Sequence, residues 1–131
     1  MYNTSKVVFS PRVRKSPYFN STIKYGATAF SVYNHMYMPV TYDGTIEDYK
    51  KLLDGVQLWD VGVERQVQIK GPDAESLAQF LTPRNIKKCS IGQAMYTPLT
   101  DFKGNLINDP VMLKIDDDCY WFSVSDGDLL L

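Results

Sequence analysis

The sequence predicts an α+β fold, an antiparallel β-meander with short amphipathic helices, and three observations carry that prediction. Residues 63–70 alternate between apolar and polar positions until Gly71-Pro72-Asp73 stops the run. Two short segments place apolar residues at helical spacing, and from Gln93 onward extended segments are separated by tight-turn residues. A two-residue period marks half-buried strands, and a period near 3.6 marks amphipathic helices.

The elements follow in order. Residues 1–21 read as an irregular N-terminal arm: Lys6, Arg12, Arg14 and Lys15 gather there, while Pro11 and Pro17 forbid a continuous helix. Such mixed, interrupted charge reads as solvation rather than as a binding tail. Residues 22–40, rich in aromatic and small residues, read as extended chain and loop. Residues 45–54 form a helix with Thr45 as N-cap, Asp48 three residues on, Ile46, Tyr49, Leu52 and Leu53 on one side, and Gly55 as the stop.

In the strand over residues 63–70, Val63, Arg65, Val67 and Ile69 share one face, and Glu64, Gln66, Gln68 and Lys70 share the other. Pro72 presets the first turn of a second helix, residues 73–81, with Asp73 at the positive end of its dipole and Leu77, Phe80 and Leu81 as its buried side. Thr82-Pro83 ends it. The meander is then a strand at 94–100, a turn at 101–104, a strand at 105–115, a turn at 116–118 and a strand at 119–125. Asp109-Pro110 interrupts the middle strand, since Pro110 withholds a ladder N–H.

Composition narrows the function. With 131 residues, 44% of them hydrophobic, the chain has the size of one domain and the means to bury a core. A net charge of −1 gives no field that would draw nucleic acid or an anionic membrane, so the expected partner is a small molecule. Cys89 and Cys119 lack metal or redox spacing and point to a reducing compartment. The single histidine, His35, builds no zinc centre, and the sequence shows neither a membrane-length apolar run nor a secretory leader. The expectation is a cytoplasmic protein. There is no GxSxG elbow and no phosphate-binding glycine loop. The closing Leu129-Leu130-Leu131 reads as an element cut off mid-course, so the chain is expected to be a fragment truncated at its C-terminus.

Asp109 is the strongest local candidate for chemistry, with Tyr96 on the preceding strand of the same hairpin. They read either as a carboxylate and phenol acting together on a polar heterocycle, or as a strand-start Asp and a rim Tyr. Register decides between these. The consecutive Asp116, Asp117 and Asp118 form a turn, because calcium loops alternate their ligands. Tyr33, His35 and Tyr37 read as a cage for a cation or as ordinary packing. Asp60 reads first as a turn cap.

Tyr25-Gly26-Ala27, Met38-Pro39-Val40, Leu58-Trp59-Asp60-Val61, the run from Val67 to Ala74, Phe80-Leu81-Thr82, Tyr96-Thr97-Pro98-Leu99 and Gly104-Asn105-Leu106-Ile107-Asn108-Asp109 together resemble the N-terminal part of the aminomethyltransferase family, which includes the glycine cleavage T-protein. The resemblance covers residues 25–131, and its force lies in many blocks in the right order. It implies that residues 22–131 are the N-terminal part of a folate-binding domain, with tetrahydrofolate as cosubstrate. Members are considerably longer, so the chain alone is expected to be inactive.

Where the T-protein pattern tends to Phe-Asp-Val-Ser-His-Met and to a pair of aspartates, this chain has Trp59-Asp60-Val61-Gly62-Val63-Glu64 and Asn108-Asp109. That wording resembles a subgroup whose substrate is a small sulfonium compound and whose methyl group passes to tetrahydrofolate. The resemblance implies Asp109 as the catalytic and folate-anchoring carboxylate and Tyr96 as a pocket wall. Tyr33 and His35 are assigned to the substrate side. An aminomethyl carrier of glycine cleavage and a non-catalytic folate-binding assembly protein are the alternatives. The sequence leaves the oligomeric state open.

Overall fold

The structure is a computed structural model and describes residues 10–127; Lys6 and the terminal leucine triplet lie outside the described residues. The chain forms two compact units, Met1–Val63 and Glu64–Leu131.

In the first unit, β1 (Arg14–Lys15), α1 (Phe19–Lys24), β2 (Ala29–Tyr33), β3 (Met36–Thr41) and α2 (Thr45–Asp54) follow one another. The sheet order is β1-β3-β2, with β1 parallel and β2 antiparallel to β3. Secondary structure thus begins inside the segment read as irregular, and the stretch read as extended chain and loop is the end of a helix and a hairpin. The hairpin turns on Asn34 and His35, both at positive φ (49° and 60°), the pair of left-handed residues that a two-residue turn between twisted strands requires. Without a glycine at the turn, the sequence gives a weak hairpin signal. Asn34 is buried and donates to the Val63 carbonyl at 3.3 Å. The core is aromatic: Phe19 packs on Phe30 and Tyr37, with centroids 5.2 and 5.9 Å away. Tyr37 therefore belongs to packing.

Helix α2 has the predicted span, but Gly44 rather than Thr45 occupies the N-cap. The capping is done from inside the helix. Asp48 reaches back and accepts from the Thr41 hydroxyl at 2.5 Å, the Tyr42 N–H at 2.9 Å and the Asp43 N–H at 3.3 Å. No residue of α2 is buried, so Ile46, Tyr49, Leu52 and Leu53 form an apolar face open in this chain. Asp60 accepts from the Gly62 N–H at 3.0 Å and from Ser16 at 2.5 Å, a turn cap.

In the second unit, β4 (Arg65–Lys70), α3 (Ala74–Phe80), a 3₁₀ turn (Ile86–Lys88), β5 (Ala94–Tyr96), β6 (Leu99–Thr100), β7 (Leu106–Asn108), β8 (Val111–Asp116) and β9 (Cys119–Val124) form an antiparallel sheet of order β4-β9-β8-β5 and a two-stranded β6-β7 ribbon. The meander holds, with one refinement. Each of the first two long strands is broken, after Tyr96 and after Asn108, because Pro98 and Pro110 lack the N–H a ladder needs. The buried Thr97 spans the gap by donating its N–H to the Pro110 carbonyl at 2.9 Å.

The core gathers Ala74, Ala78, Ile86, Met112, Tyr120, Phe122 and Val124. It corrects the helix face predicted for α3: Leu77 and Phe80 are 48% and 68% exposed, while Ala74 and Ala78 are buried. Two alanines one turn apart let the helix axis approach the sheet closely, and larger side chains are displaced to the flanks. Phe80 instead meets the exposed Phe102 edge-on, 6.0 Å between centroids. Lys114 shares the core face with Met112, and its amine lies over the Tyr120 ring, 5.8 Å from the centroid, and reaches Asp117 at 3.4 Å.

Two measurements check these assignments. Ala78→Leu is expected to cost about 1–3 kcal/mol by overpacking, and Leu77→Ala less than about 0.5 kcal/mol, in denaturant titrations of this chain; the reverse order would return Leu77 to the core. The Thr41 hydroxyl, followed by the Tyr42 N–H, holds the Asp48 carboxyl below its ordinary value. A carboxyl with a depressed folded value stabilises above its unfolded value and loses that contribution as pH falls through the folded one. Asp48→Asn therefore lowers the melting temperature at neutral pH, and the difference shrinks below about pH 4. A difference independent of pH would remove Asp48 from the capping role.

Candidate functional site

Register on β9 builds the site. Val111 faces Ser123 across the β8–β9 ladder, so continuing the ladder two residues sets Asp109 opposite Ser125. On the other side Tyr96 faces Val111, which leaves it diagonal to Asp109. The side chains meet accordingly. Ser125 Oγ donates to Asp109 Oδ1 at 2.6 Å, and Tyr96 Oη lies 3.5 Å from Asp109 Oδ2. The second contact is at the outer limit of a hydrogen bond, so Asp109 keeps acceptor capacity for a donor from solvent or a ligand.

Asn108, one residue earlier, points to the opposite side of the strand. Its carboxamide accepts from the Ser125 N–H at 3.1 Å and donates to the Ser125 carbonyl at 3.4 Å. Pro110 ends the regular ladder here, and the carboxamide supplies the acceptor and donor that a paired backbone would have offered. On the Asp109 face the next row is also polar and satisfied. Ser123 donates to Glu64 at 2.5 Å and accepts from Gln66 at 2.7 Å, and Trp121 Nε1 donates to Gln68 at 2.9 Å. Tyr96, Val111 and Trp121 leave apolar surface exposed beside the carboxylate.

The other face holds a groove of about 240 Å³ whose walls include Val67, Ile69, Leu99 and Phe122, with Asn108 and Ser125 among its polar groups. Neither Asp109 nor Tyr96 lines it. Ser125 therefore borders both the groove and the carboxylate.

Tyr96 and Asp109 are thus brought together. Tyr33, half-buried at the end of β2, and His35, exposed in the hairpin turn, belong to the first unit. Sequence reading missed Ser125 as a partner of Asp109 and noted Asn108 only as a departure from a pattern. Among the described residues no group of three His, Cys, Asp or Glu side chains could hold a metal ion, and no helix is long and apolar enough to cross a membrane.

The family described as GCVT N-terminal domain matches residues 18–128. The chain belongs to that family. Dimethylsulfoniopropionate demethylase DmdA of Ruegeria pomeroyi is 42% identical over 121 residues, covering 92% of this chain and 33% of the relative. A probable aminomethyltransferase of Halobacterium salinarum is 30% identical, over 78% of this chain and 28% of the relative. The glycine cleavage system aminomethyltransferase T from Bartonella henselae superposes with a TM-score of 0.69 at 20% identity, over 87% of this chain and 31% of that one, and shows that the fold is shared. The chain spans about a third of the length of these relatives.

Within this GCVT N-terminal domain, the long Tyr96–Asp109 contact makes the phenol dispensable for folding. Tyr96→Phe is expected to change stability by less than about 0.5 kcal/mol, as for an exposed site. A larger loss in denaturant titration would make the Tyr96 hydroxyl a structural element.

Proposed function

We propose that the protein is a tetrahydrofolate-dependent demethylase that moves a methyl group from dimethylsulfoniopropionate to tetrahydrofolate, with residues 22–131 as the N-terminal part of its folate-binding domain. The observation that carries this reading is the 42% identity to the demethylase of Ruegeria pomeroyi along 92% of the chain, against 24–30% for the aminomethyltransferases.

The residues present fit a folate. Asp109 offers a carboxylate with free acceptor capacity, as ring N–H groups require, and the exposed rings of Tyr96 and Trp121 with Val111 offer a surface for a flat heterocycle. Tetrahydrofolate would supply the nitrogen that takes the methyl group and releases its proton, while the sulfonium sulfur keeps the electron pair of the broken C–S bond and leaves as a thioether. The demand on the protein is alignment and exclusion of water rather than a nucleophile of its own. In this reading Asp109 orients and polarises the folate, and Tyr96 lines its pocket. Tyr33 and His35 serve the substrate side, where an aromatic face attracts a sulfonium through its π-cloud. Two free, buried cysteines accord with a reducing, cytoplasmic setting and a place in one-carbon metabolism.

The test uses the full-length natural protein with dimethylsulfoniopropionate and tetrahydrofolate, following methyltetrahydrofolate and the thioether acid. Asp109→Ala is expected to lower turnover by roughly 100-fold or more with its melting temperature little changed. Full turnover in that variant would end the assignment of Asp109. Activity confined to an aminomethyl-lipoyl carrier would replace the demethylase by the glycine-cleavage reading, and folate binding without transfer to either would leave an assembly protein.

A further inference from the structure

We propose that Ser125 and Asn108 are positioning residues for Asp109: the Asn108 carboxamide clamps the Ser125 backbone, and the Ser125 hydroxyl fixes the carboxylate in the orientation that meets the ligand. The inference rests on the folate-dependent reading above and names the groups that make its carboxylate work.

Three observations carry it. The 2.6 Å bond from Ser125 Oγ is the short one at Asp109, so it sets the rotation of the carboxylate, whereas Tyr96 at 3.5 Å does not. Ser125 follows the last residue of β9, where ladder bonds from β8 have ceased, so something other than the sheet must hold it. Asn108 does so with one donor and one acceptor matched to the N–H and C=O of the same residue. The close fit continues at Gly127, where an added Cβ would lie 3.3 Å from Asn108 Nδ2.

The chemistry of the clamp explains why an amide stands at position 108. A carboxylate has the same shape but only acceptors. It could accept from the Ser125 N–H, yet it would face the Ser125 carbonyl with like polarity and place a second negative charge next to Asp109. Asn108→Asp thus keeps volume and removes half of the clamp.

The experiment uses the full-length natural protein and the variants Ser125→Ala, Ser125→Thr, Asn108→Asp and Asp109→Ala. For each, methyl-transfer kinetics, calorimetric affinity for tetrahydrofolate and melting temperature are measured. Ser125→Ala and Asn108→Asp are expected to lower kcat, or to weaken tetrahydrofolate binding, by about 10- to 100-fold, with the KM for the sulfonium substrate unchanged. Ser125→Thr, which keeps the hydroxyl, is expected to restore most of the loss. If Asp109→Ala is inactive while Ser125→Ala stays within about twofold of the parent in kcat and folate affinity, the positioning role is overturned and the demethylase reading stands. It is likewise overturned if the losses track melting temperature and threonine does not rescue. If the parent transfers no methyl group, or Asp109→Ala keeps full turnover, the underlying reading fails and this inference goes with it.

Discussion

Pairing of β9 on both edges is the constraint on which the second unit depends. All six of its residues pair with β4 on one side and five of them with β8 on the other, and five of the six are buried. A strand so held cannot slip by one residue without exchanging its faces. Tyr120, Phe122 and Val124 therefore lock against Ala74 and Ala78 of α3, and the alternate residues are committed to the opposite face. Everything polar near Asp109 descends from that commitment.

The site lies where the ladder runs out. Pro98 and Pro110 end regular pairing in facing strands; the Pro110 carbonyl is met by the Thr97 N–H, and the Ser125 backbone by the Asn108 carboxamide. Asp109 sits at this break. At the break it gains a serine opposite and a tyrosine on the diagonal while its second oxygen stays largely open. The proline breaks thus open a strand position on one side, while the Thr97 backbone N–H and the Asn108 carboxamide make hydrogen bonds beyond the regular strands.

The first unit is organised differently. Its aromatic core of Phe19, Phe30 and Tyr37 sits between a short helix and a three-stranded sheet, while α2 is fixed through Asp48 and not through its apolar side. A helix whose amphipathic pattern is clear and whose apolar side is nonetheless exposed shows how period and burial separate: spacing sets which residues share a face, and only a neighbouring surface buries them. The same separation appears in α3, where spacing grouped Leu77, Phe80 and Leu81 but contact with the sheet selected Ala74 and Ala78.

The sequence by itself determined the class of fold, the span of α2, the stop after β4, the turns of the meander and the family, because these rest on local periodicity, turn chemistry and ordered blocks of residues. It also drew Tyr96 and Asp109 to one hairpin. It could not supply Ser125. Across the two-residue turn Asp116 faces Cys119, and that register, continued, would set Ser125 opposite Pro110 and turn its side chain away from Asp109. A bulge at Ile115 shifts the ladder by one residue between Lys114 and Asp116, and Ser125 comes round to the carboxylate. Nothing local marks that bulge: it is chosen by which residues of β8 and β9 the core accepts, Met112 and Phe122 inward and Val111 and Trp121 outward. That choice belongs to the tertiary structure alone.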